Sequence, residues 1–545
     1  MSKIEFFPVH SLVKLLPDGP CPPAFASDTA LKNERYTVQL AVYSDTVLRD
    51  LAVTASPAAG ITVRKADYVP VMLPTLPEGD DFHITKKPGI FPDPLMPVTG
   101  LFSLASNAWQ SIYITVDCSA LNAGSHDFSF NLTSEMLRLS AETTFFLTVL
   151  PAELPESDLI YTNWIHYDCI SQKHNVKLFS NAFYRVFAHY LDNAVTHGMN
   201  MLLVPLFTPP LDTALGGERQ TAQLIDVTVD PDGGYVFAFD RLKKFMSFAA
   251  KHGIKYFEMS HLFSQWGAKY APKIMAVHGG AEQRLFPWDE SATGENYPLF
   301  LDVFLPELTA FLKAHFNGAN IFFHLSDEPS PEAFPAYAAA NKLIAKHLDG
   351  HTLMDALSVP EIYESGLSAM PFVSTEHAEL FYKRGHSKLC VYTCCSECVH
   401  YSPNRFIAMP NVRNRALGTL LYRNNCPAYL HWGYNFYLTQ FSRAEIDPYA
   451  VTDSGRTFPA GDPFIVYSYK DGVIDSLRHE TFYDGIQDYR LLKLLEHKLG
   501  RAAVVNLLDA HGYKAGFSDY PKTDVTLLSL RTEIHKLLTA PPEKN

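Results

Sequence analysis

Up to about residue 155, apolar positions alternate with polar ones or run in short β-branched and aromatic stretches, most clearly at 36–43, 110–116 and 143–150. Pro, Gly, Asn and Asp separate these runs, so the period of two predicts strands of a β-sandwich. Pro151-Ala152-Glu153-Leu154-Pro155 then reads as a linker. Beyond it the period changes. Residues 178–197 place Phe179, Phe183, Val186, Phe187, Tyr190, Leu191 and Ala194 on one helical face, and the run stops at His197-Gly198, where glycine can take the left-handed conformation. A strand follows at once, and the same joint recurs at His252-Gly253 and Asn317-Gly318. Helix–glycine–strand joints in series predict parallel βα units.

Strand candidates fall at 159–165, 199–205, 254–259, 320–326, 352–357, 372–375, 388–392 and 427–432. Eight parallel strands separated by helices predict a (β/α)8 TIM-like barrel. The expected fold is therefore a multidomain β plus α/β protein: a β-sandwich over 1–155, the barrel over 156–500, and a helical extension packed on it over 501–545. The spacing is generous after strands two and three. Residues 207–238 predict a hairpin (224–229 and 235–239) and 261–297 a long loop, both on the C-terminal face of the barrel.

Composition narrows the function. The 545 residues are 47% hydrophobic, enough for several cores, and the net charge of −13 disfavours nucleic acid or an anionic membrane as partner. Neither a signal-peptide pattern nor a run of about 18 apolar residues is apparent, so a cytoplasmic protein is expected. Imported oligosaccharides or other glycoconjugates then fit as substrates better than intact glycoproteins, and the oligomeric state stays open. Cys390, Cys394, Cys395 and Cys398 crowd together as reduced thiols do. Cys395-x-x-Cys398 lacks a second ligand pair for zinc, and His166, His261 and Asp168 lack metal-ligand spacing, so no metal or other cofactor is expected.

The candidate chemistry lies where strand four, Ile321-Phe322-Phe323-His324-Leu325-Ser326, breaks into Asp327-Glu328-Pro329. Adjacent residues of a strand point to opposite faces, but where the pleat dissolves before proline both carboxylates can reach one substrate. Their mutual repulsion raises the proton affinity of one, which suits glycosidic cleavage. A sequential pair is poorly placed to straddle a scissile bond as acid and nucleophile. It is better placed for substrate assistance, one carboxyl protonating the leaving oxygen while the other grips the N–H of an attacking 2-acetamido group. The plainer reading is a helix start, with Ser330 as N-cap and Glu332 in the first turn. Trp164, His166, His261, Tyr392, Trp432, Asn435 and Tyr437, at other predicted strand ends, are the expected sugar contacts: rings stack on the sugar, while Asn and His bond its hydroxyls. Two alternatives stay open: a barrel glycosidase on a non-acetamido sugar with Glu258 or Glu480 as nucleophile, and a non-catalytic carbohydrate-binding protein.

Asp327-Glu328-Pro329, Tyr392-Thr393-Cys394-Cys395, Arg415, the aromatic run Tyr429 to Asn435, and Ser476-Leu477-Arg478-His479-Glu480 with Asp484-Gly485-Ile486-Gln487-Asp488-Tyr489 occur in that order. Together they resemble the catalytic domain of glycoside hydrolase family 123, the domain of unknown function 4091 group, over about residues 155–500. The resemblance implies a β-sandwich before a (β/α)8 barrel and a retaining β-N-acetylgalactosaminidase acting through an oxazoline. It also implies that Asp327 orients the acetamido group and Glu328 is the general acid/base. Residues 396–405 do not match the family pattern, which leaves galacto against gluco specificity open.

Overall fold

A computed structural model describes residues 3–214, 217–287, 289–316, 320–348 and 350–541. The N-terminal region folds into two five-stranded sheets. One runs in the order Ile4–His10, Arg35–Ser44, Gln110–Asp117, Ile61–Val71, Gly89–Pro97; the other Ser27–Leu31, Leu139–Leu150, Gly124–Ser134, Leu48–Ser56, Phe102–Leu104. Alternate residues from both, among them Val38, Leu40, Ile112, Ile114, Phe128, Phe130 and Phe145, enclose one core.

The eight predicted strand segments all enter one eight-stranded parallel sheet. In chain order its strands are Ile160–Asn163, Met201–Val204, Tyr256–Met259, Asn320–Phe323, Thr352–Leu353, Phe372–Ser374, Cys390–Thr393 and Ala428–His431. Their spatial order is five-four-three-two-one-eight-seven-six. The sheet curls until its edges meet: Ala356 bridges Phe372, and Phe372 donates its N–H to the Asp355 carbonyl at 2.8 Å. That ladder is short because strand five holds only two residues. Alternation divides the side chains between two cores. Leu202, Val204, Phe257, Met259 and Phe323 pack outward under the helices, whereas Met201, Leu203, Met354, Phe372, Tyr392 and Leu430 fill the interior. Burial on both faces is why these strands read as unbroken apolar runs.

The helix Asn181–Thr196 starts at Ser180, whose side chain accepts from Phe183 N. It ends at Gly198, whose φ of +91° permits the turn into the second strand. Gly253 does the same at +100°. The expected Asn317-Gly318 joint lies outside the described residues. The stretch 261–297 is not the plain loop expected from its spacing. Met275–His278 and Ala281–Arg284 form a hairpin that joins the predicted one, Asp226–Val229 with Tyr235–Ala238, in a four-stranded sheet. The join is parallel, Thr228 opposite Val277, a long-range pairing that local periodicity does not encode.

The long helix Leu477–Leu499 ties the parallel sheet to the N-terminal sheets. Arg478 makes a two-pronged pair with Asp93, at 2.9 Å on each oxygen. Glu480 meets Arg35 and Arg64, and Asp488 meets Arg415 and Arg531. The helix also lies against Asn411–Arg423 so closely that a Cβ on Gly418 would stand 1.8 Å from the Gly485 carbonyl oxygen. Among the described residues, no helix is long and apolar enough to cross a membrane.

Candidate active site

A cavity opens at the C-terminal ends of the parallel strands. Asp327 and Glu328 both line it. Regular strand geometry stops at Phe323, and Glu328 adopts a φ of +41°, a reversal that brings two consecutive side chains to the same cavity. The helix-start features coexist with this: Ser330 caps the short Pro331–Ala333 turn that leads into the Phe334–Ala345 helix.

Each carboxylate has its own partner. Tyr392 Oη donates to Glu328 Oε1 at 2.6 Å, and Gln265 Nε2 donates to Asp327 Oδ2 at 2.9 Å. Burial first, and the Glu328 charge second, push the Asp327 carboxyl up to about 7. Beneath the pair, His324 sits with Nε2 2.8 Å from Glu258 and Nδ1 3.5 Å from Asp355. Burial acts against its charge, but the bonds to Asp355 and Glu258 prevail and raise it to about 9. An imidazolium held between two buried carboxylates thus underlies the cavity floor. Glu258 also accepts from Thr162 and from Trp164 Nε1, and it is fully buried.

Of the expected sugar contacts, Trp164, Tyr392 and Trp432 line the cavity. Trp432 is fixed by Nε1 donating to Asp462 at 3.0 Å. His261 stands behind the wall, stacked on His324 with ring centroids 4.3 Å apart and edge-on to Trp164 at 5.3 Å. The other three belong to the framework instead. His166 takes its backbone N–H to Asn435 Oδ1 at 2.8 Å, and Asn435 returns a bond to the His166 carbonyl at 3.1 Å. The hydroxyl of Tyr437 donates to the Val466 carbonyl. Asn435 and Tyr437 thus satisfy backbone groups of the segments after strands one and eight, a demand visible only once the chain is folded. Glu480 lies in the ion-pair cluster against the N-terminal sheets, away from the cavity.

Asp212, Gln265, Trp266, Cys394, Cys395 and Phe458 also line the cavity. Tyr392-Thr393-Cys394-Cys395 carried a partial signal for the thiols; nothing in the spacing marks Gln265 or Trp266, which arrive on the loop after strand three. Cys398 packs elsewhere, with Phe406 and Met409. The Asp168 carboxylate is taken by Arg219 at 2.6 and 3.0 Å. Among the described residues one group, His197, Asp475 and His479, has ligand atoms close enough for a metal ion. Asp475 already accepts from Asn193 and Arg64, and Arg35 lies against His197 Nε2. The cavity lining holds three carboxylates and, among the described residues, no Lys or Arg.

The fold has a solved counterpart in a family 123 glycoside hydrolase from Clostridium perfringens, with a TM-score of 0.74, 13% identity and coverage of 98% of this chain and 97% of that one. A β-glucuronidase from Bacteroides uniformis and an endo-β-1,4-mannanase from Thermotoga petrophila superpose only loosely. Their TM-scores are 0.31 and 0.33, their identities 9% and 12%, and they cover 89% and 62% of this chain and 52% and 77% of their own. None of the curated proteins compared matches the chain. The family model for the catalytic domain of glycoside hydrolase 123 matches residues 164–495, from the Trp164 wall through Asp327, Glu328 and Tyr392 to the helix that carries Arg478 and Glu480. The chain belongs to glycoside hydrolase family 123.

Proposed function

We propose that this glycoside hydrolase is a retaining exo-β-N-acetylgalactosaminidase, or a related hexosaminidase, in which the 2-acetamido group of the substrate is the nucleophile. The observation that carries the reading is the adjacency of Asp327 and Glu328, each facing the same cavity and each held by a different partner. Glu328 donates its proton to the glycosidic oxygen as the C1–O bond breaks. The acetamido carbonyl oxygen forms the new bond to C1, and Asp327 accepts the N–H of the cyclising group. Water then opens the oxazoline at C1, returning its proton to Glu328. Glu258 and Glu480 are disfavoured as separate nucleophiles, because Glu258 is sealed under Trp164 and His324 and Glu480 is spent on arginines.

The lining narrows the sugar. Three carboxylates with no Lys or Arg among the described lining residues disfavour uronic and sialic acids, whereas Trp164, Trp432 and Trp266 offer apolar faces to a neutral ring. In this reading the parallel sheet acts as a closed (β/α)8 barrel over 156–500, with 1–155 as a sandwich and 501–545 as a helical buttress.

A panel of aryl glycosides tests it. Turnover of 4-nitrophenyl β-N-acetylgalactosaminide, abolished in Glu328→Gln and weakened in Asp327→Asn, is expected. Undiminished turnover in both variants, or activity confined to sugars without a 2-acetamido group, sinks the proposal. A thiazoline shaped like the cyclised intermediate should bind far more tightly than the parent sugar.

A further inference from the structure

Loops from separate strands of the parallel sheet meet beside Asp327, and hydrogen bonds run from one to the next. Asp212, on the segment after strand two, donates its backbone N–H to Gln265 Oε1 at 2.6 Å. With its oxygen so occupied, the Gln265 amide presents Nε2 to Asp327 Oδ2. Trp266 N donates to the Asp327 carbonyl at 2.8 Å. From the far side, Phe441 N and Ser442 Oγ bond the Asp212 carboxylate and carbonyl at 2.9 and 2.8 Å.

The backbone along this chain of bonds is unusual. Asp212, Trp266, Glu328, Phe441 and Ser442 have φ of +42°, +58°, +41°, +60° and +56°, a region unfavourable to residues with side chains. Such conformations persist where the surroundings over-determine them, and here Asp212, Trp266, Phe441 and Ser442 are tied into one small network that Glu328 adjoins through Asp327.

We propose that Gln265 is a positioning residue for Asp327: the Asp212 main chain fixes the direction of its amide, which ties Asp327 Oδ2 and leaves Oδ1 to meet the substrate N–H. The inference rests on the reading of Asp327 as the acetamido partner. An amide donor favours a carboxylate over a carboxylic acid, so Gln265 also works against the burial that draws a proton onto Asp327. The other charged groups around Asp327 are Glu328 at its strand end, His324 and Asp355 below, and Asp212 beyond Gln265. Replacing Gln265 leaves all of them in place.

The test is the pH profile of kcat/KM for 4-nitrophenyl β-N-acetylgalactosaminide in the full-length protein, Gln265→Met and Gln265→Glu. Methionine matches the length and lacks the donor; glutamate adds a competing charge. The acidic limb should move up by about one pH unit in Gln265→Met and further in Gln265→Glu, so that near pH 6 the methionine variant loses about tenfold more than at high pH. Circular dichroism melting should show both variants folded. A uniform loss at every pH, with the limb unmoved in an enzyme that binds the thiazoline, overturns the positioning role alone. Failure of the wild-type enzyme to bind the thiazoline overturns the substrate reading and this inference together.

Discussion

Asp327→Asn should erase the acidic limb of the activity profile. In the free protein burial and the neighbouring Glu328 charge raise the Asp327 carboxyl to about 7, so protons bind it as the pH falls through neutrality. A protonated carboxyl is a poor acceptor for the acetamido N–H, and kcat/KM for a dinitrophenyl glycoside, whose leaving group needs no general acid, should therefore rise with pH through about 7 and level off above it. At pH 5 only about one molecule in a hundred carries the ionised form, which sets a hundredfold drop from the plateau. Asparagine keeps the shape and an acceptor oxygen but never ionises. A hydrogen bond to a charged acceptor is worth about 1.5–3 kcal/mol against about 0.5–1.5 for a neutral one, a difference of about 1–1.5 kcal/mol or roughly five- to tenfold in rate. On the plateau the variant should be slower by that factor, and the two curves should meet at about pH 6. Initial rates between pH 5 and 8 measure both curves. A second arm uses Glu328→Gln with a dinitrophenyl leaving group, which needs no general acid; removing the Glu328 charge should shift the limb to lower pH without restoring ordinary carboxylate behaviour, because burial is the larger cause. The reasoning fails if the Asn variant keeps the wild-type limb, or if the wild-type profile is flat across this range.

Two further expectations concern the framework. Arg531→Met strips buried Glu34 of its arginine and leaves Asp488 with Arg415 alone, and should cost about 3–5 kcal/mol in urea unfolding. Burial opposes the charge of Asp488, but Arg415 and Arg531 outweigh it and hold the carboxyl below its ordinary 3.8; that contribution is complete above 3.8 and is lost as pH falls through the lowered value, so the deficit of the variant should shrink in acid. Gly418→Ala drives a methyl to 1.8 Å from the Gly485 carbonyl oxygen and must separate the two helices; it should abolish the cooperative melt or lower it far more than Gly233→Ala, where φ is +85° and no atom stands within 4 Å. Equal effects of the two glycine changes would refute the close-packing argument.

The legible parts of the molecule share a property: their signal is local. The helix 181–196, the hairpin around Asp230-Pro231-Asp232-Gly233-Gly234 and the eight strand segments each follow from the residues within about one turn or one pleat, and the structure contains every one of them. The framework roles of Asn435, His166 and Tyr437 were hidden for the opposite reason. An amide or a phenol beside a strand end looks the same whether it will meet a sugar or the backbone, and only the tertiary fold brings the backbone groups of His166 and Val466 to Asn435 and Tyr437. The motif from Ser476 to Tyr489 shows the same ambiguity, its charges being used to join the sheets rather than to touch the cavity.

The amino-acid sequence by itself determined the apolar strand that precedes Asp327-Glu328, the alternation of helices and strands that follows residue 155, and a composition rich enough in apolar residues to bury several cores. These depend on short-range periodicity and on turn chemistry. The tertiary structure alone decided that Glu328 turns back at φ +41° beside Asp327, that Tyr392 and Gln265 each hold one carboxylate, and that Asp212 aims the Gln265 amide from another loop. Those contacts join residues that are 64, 62 and 53 positions apart, and the chain brings them together only when the parallel sheet curls and gathers its loops at one end.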